Sequence, residues 1–306
     1  MFISLHRYNG NYSYYIHIKS YTTMAKKIKT HQLRHVVCVS NNKGGAGKTS
    51  TVLNLAAAIT LRTEGYRVLV IDCDPQRNLS YFLGWNDSRE LEGSPTLYTA
   101  LCQEQQGLPV YRADNGIFYT PASVNLNGID AILSLRPNPS KALKEILDRP
   151  IDWRCSVDGG SSAVPSSLTE SFDFIFIDTQ PAMSRMTYNA LYASDGFIIP
   201  TELEEASVKG MANIAVAAGK VGADTGHLDC HGILITKVDA KLRSAKMYEP
   251  QIRQSFSETF QTAIRRSKDI IESQALREDV FTSYAGGRAA EDYTALATEY
   301  LKKFDK

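Results

Sequence analysis

Residues 36–58 read VVCVSNNKGGAGKTSTVLNLAAA, and this stretch decides the fold. A short β-type apolar run comes first, a glycine-rich turn follows it, and a helical run begins directly after the turn. Glycines let several backbone N–H groups point at one cluster of phosphate oxygens, and the helix N-terminus adds partial positive charge there. This order of strand, turn and helix therefore predicts a phosphate-binding P-loop.

The predicted nucleotide site runs along the turn and comprises Lys43, Gly44, Gly45, Ala46, Gly47, Lys48, Thr49 and Ser50. Lys48 is expected to reach the outer phosphates, and the Thr49 hydroxyl to ligate Mg²⁺. The loop departs from the common pattern G-x-x-x-x-G-K-T, because Asn42 stands at the first glycine position. Lys43 is an additional cation that cannot easily fold back onto its own phosphates but could reach across a subunit interface.

Carboxylates follow two other apolar runs of the chain. The run 68–71 is followed by Asp72 and Asp74, and the run 174–177 is followed by Asp178. Carboxylates at the C-terminal ends of parallel strands, beside a P-loop, are placed to hold Mg²⁺ and to orient the attacking water. We therefore predict that Thr49, Asp74 and Asp178 form the metal site and that Lys43, Lys48 and Asp74 are catalytic. The direction of the Asp72 side chain stays open.

Strand and helix signals alternate from residue 35 onward. The predicted strands are 36–40, 67–71, 117–120, 172–177, 196–199 and 232–236, and the predicted helices are 49–63, 141–147, 184–193, 208–221 and 247–259. Continuous apolar strands are typical of parallel sheets buried on both faces. The pattern predicts an α/β fold, a doubly wound, mostly parallel sheet flanked by helices, with irregular connections at 85–95 and 155–171.

The bulk properties favour one domain over residues 35–306. Residues 1–34 are expected to be an N-terminal extension that is disordered in part, and Met24 looks like a second start, so we expect translation to begin there. The five cysteines are widely spaced and form no C-x-x-C pair, which favours a reducing cytoplasm. The net charge is +1, so any basic surface must be local. No apolar run approaches the roughly 18 residues that span a bilayer.

These motifs resemble the ParA/Soj-type partition ATPases, within the deviant Walker-A family that also contains MinD. The loop K-G-G-x-G-K-T corresponds to residues 43–49, D-x-D-P-Q to 72–76 and I-D-T-x-P to 177–181. Weaker similarity continues at 188–191, 197–201 and 232–236 and in the last helix, so the resemblance covers nearly all of residues 35–304. The chain departs from the family at Gln180, where proline is usual, and in the Ser/Gly-rich stretch before Phe172.

The resemblance implies an ATP-dependent sandwich dimer that binds Mg²⁺ and hydrolyses ATP weakly until a partner stimulates it. Lys43 takes the role of the lysine that crosses to the other subunit's nucleotide, Asp74 that of positioning the hydrolytic water, and Asp178 that of supporting Mg²⁺. The strand end at Thr236 lies near the base. The resemblance further implies non-specific DNA binding in the ATP state, a ParB-like centromere-binding partner, partition of a plasmid or chromosome, and a cytoplasmic location on the nucleoid.

Relatives of other types fit this sequence less well. MinD-like proteins carry a membrane helix after the fold, whereas the last helical stripe here is expected to pack on the domain (Ala289, Tyr293, Leu296, Ala297, Tyr300, Leu301 and Phe304). Iron–sulfur relatives need paired cysteines. Larger partition ATPases carry a helix-turn-helix domain in front, for which about 34 residues are too few. A P-loop switch that positions a protein cargo or acts at a membrane stays the alternative.

The segment 237–277 holds nine Lys or Arg against five Asp or Glu. This excess is explained equally by a solvated helical face or by a DNA surface that contacts phosphates. Under the second hypothesis, the expected contacts are Arg243, Arg265, Arg266 and Arg277. The run Thr236–Asp239 (TKVD) also resembles the box by which GTPases read guanine, so a GTPase is a further alternative.

Overall fold

The computed structural model describes residues 2–8, 11–17, 35–62, 65–103, 107–149 and 171–304, with backbone alone for 2–17, 208 and 209. It divides into two compact units, Met1–His31 and Gln32–Lys306. The first unit contains an antiparallel hairpin of β1 (Phe2–Tyr8) and β2 (Asn11–His17). Most of the irregular connection expected at 155–171 lies outside the described residues.

A seven-stranded sheet forms the centre of the second unit. Its strands are β3 (His35–Val39), β4 (Val68–Asp72), β5 (Tyr111–Arg112), β6 (Phe118–Thr120), β7 (Phe174–Asp178), β8 (Gly196–Thr201) and β9 (Asp229–Ile235). They lie in the order β5-β6-β4-β7-β3-β8-β9, and only β5 runs antiparallel to its neighbour. The predicted α/β fold with a mostly parallel sheet is confirmed, and each of the six predicted strands has its counterpart.

Helices cover both faces of this sheet, because successive residues of a strand point to opposite sides. Val37 and Val39 pack with the first and last helices, whereas Val36 and Cys38 pack with the helices of the other face. The helices are α1 (Lys48–Thr60), α2 (Asn78–Phe82), α3 (Asp87–Leu91), α4 (Leu97–Cys102), α5 (Ile129–Leu133), α6 (Ala142–Leu147), α7 (Arg185–Tyr192), α8 (Glu205–Thr225), α9 (Arg243–Ser255), α10 (Lys268–Leu276), α11 (Val280–Ser283) and α12 (Arg288–Leu301).

The stretch 85–95 differs from its prediction as an irregular connection. It contains α3, whose N-cap Asn86 accepts a hydrogen bond from the Arg89 N–H at 3.1 Å. Trp85 is fully buried ahead of it, so this polar stretch is anchored to the core. Helix α9 begins four residues before the predicted start at 247 and contains Pro250. Strand β5 and the short helices α2, α4, α5 and α11 were missed, because elements of two to six residues leave little periodicity to detect; the short α6 was predicted at 141–147.

The last helix packs as its apolar stripe predicts. Six of its stripe residues are buried, and Phe304 packs against the same cluster (Ala289, Tyr293, Leu296, Ala297, Tyr300, Leu301). None of the described helices combines the length and the hydropathy that crossing a membrane requires. The cysteines in the described ranges, Cys38, Cys73, Cys102 and Cys230, are all free thiols.

A histidine–aromatic cluster lies at the amino-terminal edge of the sheet. The rings of His35 and Phe304 lie 4.0 Å apart, and His231 Nδ1 is 2.9 Å from the Tyr300 hydroxyl. Burial, together with the nearby charges of His35 and Lys303, lowers the pKa of His231 to about 4, against a smaller opposing effect of Asp229. The cluster therefore stabilises the neutral form of His231.

Acid should weaken the fold through this cluster. His231 titrates at about 4 in the folded protein but near its ordinary 6.5 when unfolded, so the unfolded state binds more protons between these values. Stability is therefore lost as the pH falls from 6.5 toward 4. His231→Gln removes this component, and the native chain should lose up to about 2 kcal/mol more than the variant between pH 7 and pH 5. Urea unfolding at both pH values measures the difference.

The exposed His227 supplies the matched control for this titration. His227→Gln should keep the pH dependence of the native chain. If His231→Gln also keeps it, His231 does not contribute to the acid sensitivity.

Candidate functional site

The P-loop connects β3 to α1 and turns on two glycines in the left-handed region. Gly45 has φ +78° and Gly47 has φ +91°, which residues with a Cβ rarely adopt. Helix α1 begins at Lys48, so its free backbone N–H groups and its dipole face the loop. The predicted phosphate-binding context of strand, turn and helix is present.

Lys48 is a buried cation inside this loop. Its side chain is 6% exposed, and its Nζ donates a hydrogen bond to the Lys43 carbonyl at 3.1 Å. Burial lowers the pKa of Lys48, and the carboxylates of Asp178 and Asp74 partly offset this effect. The nearby carboxylates therefore do not fully compensate the desolvation of this ammonium group, and a bound phosphate would add negative charge beside it.

Thr49 and Asp178 form the centre of the predicted metal site. The Thr49 hydroxyl donates to Asp178 Oδ2 at 2.7 Å, while the buried Asp178 Oδ1 has no hydrogen-bond partner among the described residues. Burial raises the pKa of Asp178 well above its usual value, and the charge of Asp72 adds to this. A hydroxyl and an unsatisfied carboxylate oxygen are hard ligands that suit Mg²⁺. The residues present therefore fit the cation.

The structure separates the roles of the two carboxylates after β4. Asp72 accepts hydrogen bonds from the Asp74 N–H at 3.0 Å and from the N–H and hydroxyl of Ser80 at 2.9 and 2.6 Å. Asp72 thus fixes the turn to α2, and burial raises its pKa to about 6. Asp74 is only half-buried, and its Oδ1 accepts from the Gln76 N–H at 2.9 Å. Of the two, Asp74 has the accessible carboxylate.

The Lys43 side chain contacts the segment that follows β8. Its Nζ forms ion pairs with Glu204 and, at 3.5 Å, with Glu202 of the same chain. Lys237 approaches from the end of β9: its Nζ lies 3.1 Å from Glu202 and donates to the Gly45 carbonyl at 2.5 Å. Glu202 is thus shared between two lysines. Sequence reasoning missed both glutamates and placed Lys237 only in the guanine-like box and the basic segment, because no local pattern connects these residues to the P-loop.

Other side chains hold the loop's backbone from behind. Asn41 donates to the Pro200 carbonyl at 2.7 Å and accepts from the Lys43 N–H at 3.0 Å. A Cβ on Gly210 of α8 would lie 2.5 Å from the Asn41 side-chain oxygen, so the glycine allows this close approach. The Thr236 hydroxyl lies 2.9 Å from the Ala46 carbonyl. Thr236, predicted to bind nucleotide, therefore lies buried against the P-loop backbone.

The guanine-like box has a local explanation in this structure. Lys237 is left-handed at φ 54° and reaches the P-loop, whereas Asp239 Oδ1 accepts a hydrogen bond from the Lys241 N–H at 3.0 Å. Thr236 and Lys237 thus join the end of β9 to the phosphate loop, a role independent of the base.

The four arginines predicted to contact DNA lie on different elements and differ in their surroundings. Arg243 begins α9 and is exposed, as is Arg266. The exposed Arg277 ends α10 in a left-handed conformation, with its guanidinium 5.4 Å from the centre of the Tyr81 ring. Arg265 instead pairs with Asp292 at 2.6 Å and with Glu291 at 3.1 Å. Its charge is therefore largely balanced by α12.

Comparison with known proteins agrees with this geometry. The profile of the CobQ/CobB/MinD/ParA nucleotide binding domain matches residues 37–280. The chromosome-partitioning ATPase Soj of Thermus thermophilus is 30% identical over 273 residues, covering 87% of this chain and 95% of that protein. The chromosome partitioning protein ParA of Myxococcus xanthus is 28% identical, with 88% of each chain covered.

Solved structures extend the similarity to three dimensions. Cobyrinic acid a,c-diamide synthase from Mycobacterium smegmatis, solved with a bound ATP analogue and magnesium, matches with a TM-score of 0.63 and 26% identity. The alignment covers 83% of this chain and 97% of that one.

The buried charge of Asp178 should lower the stability of the nucleotide-free protein. Asp178→Asn keeps an acceptor for Thr49 but removes the desolvated charge, so we expect stabilisation by roughly 1–2 kcal/mol at pH 7. The raised pKa of Asp178 gives the sign: the gain should fade as the pH falls toward the ordinary carboxyl value of about 3.9. Thermal unfolding without nucleotide at pH 5 and pH 7 measures it.

Asp148 provides the control, since its carboxylate is exposed and pairs with Lys144 at i,i+4. Asp148→Asn should change stability by less than about 0.5 kcal/mol. A destabilised Asp178→Asn protein would show that the carboxylate supports the fold.

Proposed function

The chain belongs to the CobQ/CobB/MinD/ParA nucleotide-binding family, and we propose that it is a Mg²⁺-dependent ATPase of the ParA/Soj partition type. The observation that carries the proposal is the convergence of Lys48, Thr49 and Asp178 at one P-loop, with the half-buried Asp74 on the neighbouring strand end. The similar synthase structure holds an ATP analogue and magnesium, which supports the same ligands here.

Each residue has a defined task in this proposal. The left-handed glycines and the start of α1 bind the phosphates, and Lys48 neutralises their charge. Bound Mg²⁺ supplies further positive charge at the phosphates; Thr49 and Asp178 would hold it, with Asp74 contributing from the neighbouring strand end. Asp74 orients the attacking water, because its carboxylate is the accessible one after β4. Turnover is slow until a ParB-like partner completes the site.

Lys43 has no task within its own subunit's phosphate site, since Lys48 already occupies that place. We therefore assign Lys43 to the nucleotide of a second copy, in a homodimer that encloses two ATP molecules. Dimerisation then depends on ATP, because the lysine needs a phosphate to bind on the other side.

Two substitutions should separate binding from hydrolysis. Lys48→Ala removes the buried cation and should weaken Mg·ATP binding at least about 100-fold. Asp74→Ala should keep ATP bound and trap a dimer, since only water positioning is lost. Isothermal titration and light scattering measure both effects. If GTP competes as well as ATP for the native protein, the base assignment is wrong and the GTPase alternative gains support.

DNA binding requires a concentrated basic patch, because the whole chain carries a net charge of only +1. We propose a patch at the start of α9, where the exposed side chains of Lys241, Arg243 and Lys246 lie close in sequence, together with Arg266 and Arg277. Arg265 contributes less, since α12 already neutralises it. The ATP dimer pairs two patches, which raises the affinity through effective concentration. The protein would thus reside in the cytoplasm on the nucleoid and move a plasmid or chromosome.

Salt dependence should reveal these phosphate contacts. Log affinity for random-sequence duplex should fall steeply with log salt in ATP and be much weaker in ADP. Arg243→Ala or Arg266→Ala should reduce the slope by about one for each subunit. Arg265→Ala should change the slope less, because native Arg265 is paired with carboxylates of α12. A fluorescence-anisotropy salt titration measures the slopes. Binding that is insensitive to salt, or as strong in ADP as in ATP, would argue against the patch.

A second candidate function rests on the apolar residues beside this patch. Leu242 and Met247 are each 48% exposed, next to Arg243 and Lys246. A mixed basic and apolar face is also typical of helices that lie on anionic membranes. Sedimentation with anionic vesicles in ATP tests this membrane or cargo-positioning alternative directly.

A further inference from the structure

We propose that Glu202 and Glu204 form a holding site that keeps the Lys43 ammonium in its own subunit and thereby sets the threshold at which two copies pair. Glu204 and Glu202 both form ion pairs with the Lys43 ammonium, whereas the buried Lys48 ammonium donates to the Lys43 backbone carbonyl. This inference rests on the proposed cross-subunit role of Lys43. The inference adds that the ion pairs with Glu202 and Glu204 oppose this role until the dimer forms.

Only the side chain of Lys43 has to move when its ammonium leaves the two glutamates for the nucleotide of the other subunit. Its N–H is held by the Asn41 side-chain oxygen at 3.0 Å, and its carbonyl accepts from the Lys48 Nζ at 3.1 Å. The backbone at this residue is therefore anchored on both sides. Rotation about side-chain bonds then releases the ammonium while the phosphate loop keeps its shape.

The exposure of the three side chains makes the contact reversible. Lys43 is 25% exposed, Glu204 45% and Glu202 16%. Water competes for the Lys43–Glu204 pair, so this pair is weak compared with a buried one. The holding site can therefore delay pairing but cannot prevent it.

Lys237 removes the cost of leaving a carboxylate alone. The less exposed Glu202 also pairs with Lys237 at 3.1 Å, so it keeps a cation after Lys43 leaves. Lys237 is itself fixed by the Gly45 carbonyl at 2.5 Å. The exposed Glu204 can return to water. Each group that Lys43 releases thus keeps a partner or regains solvent.

The size of the effect follows from the stoichiometry. A partly exposed ion pair shifts an equilibrium about two- to fivefold. A dimer withdraws one lysine from each subunit, so the factor enters twice and becomes about 4- to 25-fold. The holding site would thus raise the protein concentration at which two subunits pair, by the same factor.

Glu204→Gln tests the proposal in the Asp74→Ala background, where hydrolysis does not limit the dimer's lifetime. The dimer dissociation constant in Mg·ATP, from analytical ultracentrifugation, should fall about 10-fold. Glu202→Gln should lower it less, because the Lys43–Glu202 distance is longer. In ADP all of these proteins should stay monomeric. Glu249→Gln, which removes a glutamate paired with Arg253 on α9, is the control and should leave the constant unchanged.

Lys43→Ala distinguishes the failure of this inference from that of the proposed function. It should abolish the dimer, and adding Glu204→Gln to Lys43→Ala should not restore it. If Lys43→Ala is monomeric but Glu204→Gln pairs no better than its parent, the holding site is wrong and the cross-subunit role stands. If Lys43→Ala pairs normally, the cross-subunit role and the holding site are both overturned. Weaker pairing of Glu204→Gln would place the glutamate in the dimer contact and also overturn the proposal.

Discussion

The desolvation of two opposite charges, on Lys48 and Asp178, is the constraint on which the site depends. Both side chains are buried. Burial lowers the pKa of Lys48 and raises that of Asp178, so it favours the neutral form of each group. The fold tolerates this cost because the two groups lie near each other at the carboxyl edge of a parallel sheet. Thr49 and a backbone carbonyl supply the few hydrogen bonds available. Because burial outweighs the attraction between these charges, the phosphates of ATP would further stabilise the Lys48 ammonium, and Mg²⁺ would further stabilise the Asp178 carboxylate.

The position of these charges is set by neighbours that hold the backbone of the P-loop. Asn41 bridges the start of the loop to β8, and Gly210 leaves room for it. Thr236 and Lys237 hold the Ala46 and Gly45 carbonyls from the end of β9. Because these contacts come from adjacent strands of one sheet, the loop's shape depends on the register of the sheet. A rigid backbone lets the side chains on the loop serve different partners.

The two lysines of the loop illustrate that division. Lys48 is buried, and its ammonium is held inside the loop by the Lys43 backbone carbonyl. Lys43 carries the same charge on an anchored backbone, but its ammonium is only partly buried and pairs with the carboxylates of Glu202 and Glu204. A similar contrast separates Arg265, neutralised by α12, from the exposed Arg243 and Arg266. Formal charge alone therefore says little about which cations are available for binding.

The sequence by itself determined the α/β class, six strands of the large sheet, the P-loop and the acids at the carboxyl ends of β4 and β7. These features depend on local patterns: apolar runs, glycines at a turn, and a carboxylate after a strand. It left the direction of Asp72 open and placed Thr236 near the base, and it missed α3, Glu202, Glu204 and the contact of Lys237 with the P-loop. The roles of Thr236, Lys237 and Glu202 are decided by contacts between residues about 35 to 190 positions apart. Asp72 instead turns to Ser80, eight positions away, and becomes buried only in the packed structure. Tertiary structure decides them because strand order, which brings β8 and β9 beside the P-loop, is not written in any local pattern.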